Sequence, residues 1–92
     1  MTNPVLKRAL ETWGEQAQML MVVEEMSELM KEVLKNINRK KNNIDAIIEE
    51  TADVEIMLEQ LKENYKIIEK VEAYKKDKIK LIEQRLNDWD KK

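Results

Sequence analysis

Two stretches of sequence decide the fold: VVEEMSELMKEVLK at residues 22–35 and IIEETADVEIMLEQL at residues 47–61. Apolar residues recur in both at intervals of three and four, which is the spacing of one face of an α-helix. The rest of the chain is also rich in helix formers, and it contains one glycine and one proline in 92 residues. With so few residues that interrupt helices, the sequence predicts an all-α fold.

Helix boundaries follow from the few breaks in this pattern. Asn3 and Pro4 have the order of an N-cap followed by a proline in the first turn, and Gly14 closes the short helix that begins there. The asparagine-rich stretch at residues 36–43 predicts a loop. The three longer helices are expected at residues 15–36, 44–64 and 68–89. We expect the four helices to form an antiparallel bundle as one domain over residues 1–92.

Composition excludes several classes of protein. The chain has no cysteine and no histidine, which excludes disulfides, zinc–thiolate sites and serine–histidine catalysis. Its 17 basic and 19 acidic residues give a net charge of -2, which argues against binding a nucleic-acid polymer. The longest uncharged apolar run, residues 19–23, is too short for a membrane span, and no signal peptide is visible. We therefore expect a soluble cytoplasmic protein whose small core favours self-association through helix faces.

Each of the two long motif helices carries a pair of carboxylates inside its apolar arc. On a helical wheel Glu25 is flanked by apolar residues about 40° to either side, and Glu28 lies about 60° away. Glu50 occupies the centre of the apolar stripe of the next helix, and Asp53 again lies about 60° away. Both pairs therefore have i, i+3 spacing, which places the two carboxylates on one helical face.

Inward-facing carboxylates need compensation because an ionised carboxylate in an apolar environment is costly and a second one nearby raises the cost. The groups could be protonated, could pair with lysine or arginine, or could share a cation. Four carboxylates from two helices match the preference of Mg²⁺, with Mn²⁺ as an alternative, for oxygen ligands. The absence of histidine argues against a di-iron carboxylate site.

The two motifs resemble those of the MazG-type all-α nucleoside triphosphate pyrophosphohydrolases, whose pattern is EExxE, a spacer and then ExxD. The first half corresponds to EEMSE at residues 24–28, and the second corresponds to ETAD at residues 50–53. TWGEQAQ at residues 12–18 and the lysine-rich YKKDKIKLIEQRL at residues 74–86 are also similar to the family. The resemblance covers most of the chain, from Trp13 to Leu86.

This resemblance implies an enzyme that cleaves a nucleoside triphosphate between the α- and β-phosphates, releasing a nucleoside monophosphate and pyrophosphate. It also implies a homodimer or homotetramer with the site near subunit contacts. By position in the motif, the implied Mg²⁺ ligands are Glu25, Glu28, Glu50 and Asp53. Glu24 is the implied carboxylate that orients or deprotonates the attacking water.

Four further side chains are candidates for binding the substrate: Gln18, Lys35, Arg39 and Lys78. Lys35 follows Glu28 by seven residues and so lies on nearly the same face, and Arg39 lies at the expected loop. Lys78 lies at the edge of the apolar stripe of the last helix. Gln18 lies two turns before the first motif on the same face, where it is expected to contact the sugar or base.

Two other interpretations stay open at this point. A non-catalytic helical dimerisation or regulatory module would bury the apolar stripes against a partner and keep the carboxylates in interhelical salt bridges. A degenerate family member would bind nucleotides without hydrolysing them.

Overall fold

The computed structural model describes residues 3–39 and 42–91, which form helices and short connections without a strand. The helices are α1 (Pro4–Trp13), α2 (Glu15–Arg39), α3 (Ile44–Tyr65) and α4 (Ile68–Asp90). The prediction of an all-α fold with one short and three longer helices is therefore confirmed. None of these helices combines the length and the apolar character that are needed to cross a membrane.

The beginning and the end of α1 follow the sequence signals. Asn3 Oδ1 accepts a hydrogen bond from the backbone N–H of Val5 at 2.9 Å, and Pro4 is the first helical residue. Gly14 has a φ of 92°, a conformation that L side chains rarely adopt, and its N–H donates to the carbonyl of Leu10 at 3.0 Å. Glycine at this position therefore allows the chain to turn directly from α1 into α2.

The predicted start of the loop at residue 36 is wrong, because α2 continues to Arg39. Asn43 Nδ2 donates to the backbone carbonyl of Glu32 at 2.9 Å and to its carboxylate Oε1 at 3.1 Å. Asn36 Nδ2 in turn donates to Asn43 Oδ1 at 3.2 Å. The asparagines thus stabilise the last turns of α2 rather than ending it. Residues 40 and 41 of the expected loop lie outside the described residues.

Helices α2 and α3 form an antiparallel pair, because side-chain hydrogen bonds connect their opposite ends. The bonds of Asn43 join the end of α2 to the start of α3. At the other end, Asn64 Nδ2 donates to Glu15 Oε1 at 3.1 Å. Between these ends Val22 and Val54 are 3% and 8% exposed, and they form the apolar centre of the pair.

Helix α1 packs on both α2 and α3. Gln60 is 2% exposed, and its Nε2 donates to the carbonyl of Leu6 at 3.3 Å. Its other amide atom, Oε1, is buried without a hydrogen-bond partner among the described residues. A single buried amide on α3 thus makes the polar connection to α1.

Helix α4 stands apart from the other three. Lys66, with a φ of 54°, makes the left-handed turn after α3, and the N–H of Ile67 donates to the carbonyl of Lys62 at 3.0 Å. Within the described part of the chain α4 contacts α3 and neither α1 nor α2, and residues 72–91 are all exposed. A bundle that includes α4, and the single domain over residues 1–92, stay predictions.

We expect Gly14→Ala to lower the free energy of unfolding by about 1–3 kcal/mol, because a Cβ disfavours the positive φ of this residue. Nothing lies within 4 Å of the added Cβ, so the loss reports backbone strain alone. Urea unfolding measures it, with Thr12→Ala on the exposed side of α1 as the control. Equal free energies of unfolding for Gly14→Ala and Thr12→Ala would show that the positive φ of residue 14 does not strain an alanine there.

Candidate metal centre

Three carboxylates from α2 and α3 converge at the interface between these helices. Glu25, Glu50 and Asp53 each place one carboxylate oxygen so that the three oxygens lie within 4.8 Å of one another. All three residues are half-buried. The antiparallel pairing explains the cluster, because it places the middle of α2 beside the first half of α3.

Within residues 3–39 and 42–91, no basic side chain is paired with the cluster. Among the described residues, no lysine or arginine forms an ion pair with Glu25, Glu50 or Asp53. Glu50 Oε2 is buried, and it has no hydrogen-bond partner in the described part of the chain. Burial raises the pKa of Glu50, and the negative charges of Glu25, Asp53, Glu28 and Glu49 raise it further. The interface therefore concentrates negative charge that the described side chains leave uncompensated.

Glu28 and Glu24, the two other motif carboxylates, are exposed and lie outside this group of three. Glu28 is still close enough for its charge to raise the pKa of Glu50. It lies about 60° from Glu25 on one side of the helix, whereas the buried Val22 lies about 60° away on the other. The partner helix α3 approaches from the side of Val22, and this explains why Glu28 is more exposed than Glu25.

Two buried glutamines lie two turns from the carboxylates along the same interface. Gln18, a predicted substrate contact, is 6% exposed and precedes Glu25 by seven residues. Gln60 was missed by the sequence analysis, although it follows Asp53 by the same interval of seven residues. The shared interval of seven residues is the sequence signal for these two amides. It runs backwards from the first motif and forwards from the second, and because α2 and α3 are antiparallel, both amides lie toward the same end of the helix pair.

Basic side chains near the end of α2 line an open hollow of about 490 Å³. Its walls include Lys35 and Arg39, which were predicted phosphate contacts, and also Lys31, which was missed. The spacing of four residues from Lys31 to Lys35 to Arg39 is the signal in the sequence. Lys35 Nζ lies 3.1 Å from Glu32 Oε2, so this lysine is already paired. Hydrogen bonds from Asn43 and Lys35 lower the pKa of Glu32, and the bond from Asn43 has the larger effect.

The fourth predicted substrate contact, Lys78, lies on the exposed part of α4. Among the described helices α4 contacts α3 alone, and residues 72–91 of α4, which include Lys78, are all exposed.

No protein-family model, curated protein or solved structure matches this chain. Its relation to the MazG-type enzymes therefore rests on the motif residues and stays a proposal.

We expect Glu50→Gln to raise the melting temperature of the metal-free protein at neutral pH. The folded state raises the pKa of Glu50 above its value of 4.5 in an unfolded chain, so folding favours the protonated group. Stability is consequently lost as the pH rises from 4.5 through the raised pKa. The amide cannot ionise, so the advantage of the variant grows over this range.

Thermal unfolding in EDTA at pH 5 and pH 7.5 measures this difference. Glu55→Gln, on the exposed side of α3, is the control, because it removes the same charge at a residue that is not among those raising the pKa of Glu50. If the gain in melting temperature from Glu50→Gln were the same at both pH values, the ionisation of Glu50 would not be its cause.

Proposed function

We propose that this protein is a Mg²⁺-dependent nucleoside triphosphate pyrophosphohydrolase that converts a (deoxy)nucleoside triphosphate to the monophosphate and pyrophosphate. The observation that carries the proposal is the convergence of Glu25, Glu50 and Asp53, with no cation partner among the described residues. The motif resemblance to MazG-type enzymes supplies the reaction class. We further propose that the enzyme acts in the cytoplasm as a homodimer or homotetramer.

The donor set fits a hard divalent cation. Magnesium binds oxygen ligands octahedrally at about 2.1 Å, which places ligand oxygens from about 3 Å apart (adjacent) to about 4.2 Å apart (opposite). The separations of up to 4.8 Å in the cluster approach this range, and small rotations of three half-buried side chains would reach it. Glu50 Oε2 is a further reason, because this buried oxygen has no hydrogen-bond partner among the described residues and a bound cation would supply one.

In this proposal Glu25, Glu50 and Asp53 hold the metal from the helix interface, and Glu28 reaches it from the exposed rim. Mn²⁺ satisfies the same ligands. When bound, such an ion neutralises phosphate oxygens and lowers the pKa of a coordinated water. The carboxylates alone would repel a triphosphate, so the chain requires the ion before it binds the substrate.

The remaining roles belong to side chains outside the cluster. Glu24 is exposed one residue before Glu25, and it is our candidate for holding or accepting the proton of the attacking water. Lys35 and Arg39 line the basic hollow and are our candidates for binding phosphate oxygens. For Lys35 this requires an exchange of its partner Glu32 for the phosphate. Gln18 is our candidate for contacting the sugar or base, and Lys78 could reach the phosphates from a second subunit.

The alternative is a non-catalytic dimerisation or regulatory module, in which the same carboxylates would form structural salt bridges. The described residues offer no such bridge to Glu25, Glu50 or Asp53. A structural role would therefore leave the charge of the cluster uncompensated within the chain. This difference favours the enzyme over the structural module.

We expect release of pyrophosphate from one or more of the eight common ribo- and deoxyribonucleoside triphosphates when Mg²⁺ is present and not when EDTA replaces it. The double variant Glu50→Gln, Asp53→Asn should lower kcat roughly a hundredfold or more, because it removes the charge of two of the four proposed ligands. Glu55→Gln, on the exposed side of α3, is the control and should retain activity. Hydrolysis that persists in the double variant would refute the proposed site.

Metal binding itself has a separate readout. We expect Mg²⁺ or Mn²⁺ at millimolar concentration to raise the melting temperature of the wild-type protein, because the ion binds the folded state. Glu50→Gln should abolish this increase, whereas Glu55→Gln should preserve it. Equal effects of the ion on all three proteins would favour the structural module.

A further inference from the structure

Gln60 combines the deepest burial among the described residues with an incomplete set of hydrogen bonds. It is 2% exposed, and its Nε2 donates to the carbonyl of Leu6 at 3.3 Å. Its Oε1 is buried and has no hydrogen-bond partner in the part of the chain that the structure describes. Buried amide oxygens are nearly always bonded, because leaving one without a donor opposes folding. This oxygen therefore indicates a donor that comes from outside the described residues.

The free acceptor lies at the same end of the α2–α3 pair as a second buried amide, that of Gln18. Gln60 follows Asp53 by seven residues, and Gln18, which is 6% exposed, precedes Glu25 by seven. Seven residues make two turns of helix, or about 10 Å. Because α2 and α3 are antiparallel, the two amides lie on facing helices at a similar distance from the carboxylate cluster. A ligand that is held at the cluster and extends two turns toward this end reaches both amides.

The order of side chains along α2 matches the order of groups in a nucleoside triphosphate. Gln18 comes first, Glu25 of the cluster follows, and Lys35 and Arg39 of the basic hollow come last. A nucleoside triphosphate has its base at one end, its α-phosphate in the middle, and its β- and γ-phosphates at the other end. When the phosphates occupy the metal and the basic side chains, the base lies at the end that holds the amides.

We infer that Gln60 is a specificity-determining residue, whose Oε1 accepts a hydrogen bond from an N–H group of the nucleobase. The inference rests on the proposed function, because the metal and the basic side chains set the position of the phosphates. The bond from Nε2 to Leu6 orients the amide, so the atom left without a partner is the oxygen, which only accepts. The site therefore selects a base that presents an N–H group over one that does not.

Helix α1 covers this end of the helix pair. Leu6 of α1 accepts the bond from Gln60, so the helix lies directly over the buried amide. That bond, at 3.3 Å, is longer than the usual range of about 2.7–3.2 Å, and no residue of α1 is buried. Gly14 joins α1 to α2. A displacement of α1 about Gly14 exposes Gln60 to the base, while the contacts between α2 and α3 keep the cluster in place.

Hydrolysis of two matched triphosphates tests the contact. One carries the base that the protein hydrolyses fastest. The other carries the same ring without exocyclic groups, 2-pyrimidinone for a pyrimidine or unsubstituted purine for a purine, so that its Watson–Crick edge has no N–H group. For the wild type, kcat/KM should be about tenfold or more lower with the stripped base, because Oε1 then stays unbonded. In Gln60→Met, which has a similar volume and no amide, the two substrates should differ little.

A purely structural amide gives a different pattern. If Gln60 only joins α3 to α1, or bonds a buried water, Gln60→Met changes kcat/KM for both substrates by the same factor and their ratio stays that of the wild type. This result would overturn the inference. Gln84→Met makes the same replacement at an exposed residue of α4, and as the control it should keep the wild-type ratio.

Photo-crosslinking of the wild-type protein keeps the test independent of the folding of any variant. A nucleoside triphosphate with an azido group on its base is irradiated with the protein and Mg²⁺, and mass spectrometry identifies the modified residues. Crosslinks that fall near Leu6 in α1 or around Gln60 in α3, and that unlabelled nucleotide suppresses, support the contact. Crosslinks confined to α4, or to the hollow at Lys35 and Arg39, would contradict it.

The same experiments separate this inference from the proposed function. Crosslinks around Gln60 without any release of pyrophosphate would refute the proposed hydrolysis and keep the base contact. Release of pyrophosphate with equal kcat/KM for the two substrates in the wild type would refute the base contact and keep the hydrolysis. A protein that neither hydrolyses nor crosslinks a nucleotide would refute both.

Discussion

The strongest constraint on the fold is the negative charge between α2 and α3, which the packing of these helices has to overcome. Glu50 Oε2 is buried, and the charges that act on its carboxyl group are negative. The helix pair tolerates this because the apolar contacts of Val22 and Val54, together with the asparagine bonds at both ends, keep the helices aligned. The structure thus uses packing elsewhere to maintain an arrangement that electrostatics opposes.

The two sides of α2 have different chemical requirements. Its inner side contributes Glu25 to the cluster, where a positive charge would balance the carboxylates. Its outer side exposes Leu34, which an apolar surface would remove from water. Neither requirement is met by the described residues of a single chain.

Sequence periodicity predicted most of the fold because 3.6 residues per turn determine which side chains share a face. It placed Glu25 and Glu50 on inward faces, and both are half-buried. It did not distinguish Glu28 from Asp53, since a helical wheel does not tell from which side the neighbouring helix approaches. It also ended α2 too early, because asparagine is typical of loops and the bonds between Asn36 and Asn43 depend on tertiary contact.

The hydrogen bond from Gln60 to the carbonyl of Leu6 joins residues that are 54 positions apart. By comparison, α2 and α3 are joined by a short connection between Arg39 and Ile44, so their contacts close a short loop. Because the entropy of loop closure opposes distant contacts, the α2–α3 hairpin should assemble first and α1 should dock on it last. Among the three packed helices α1, α2 and α3, the amino-terminal helix is then the first to detach in partial unfolding, and its release would expose the core to solvent while the carboxylate cluster stays intact.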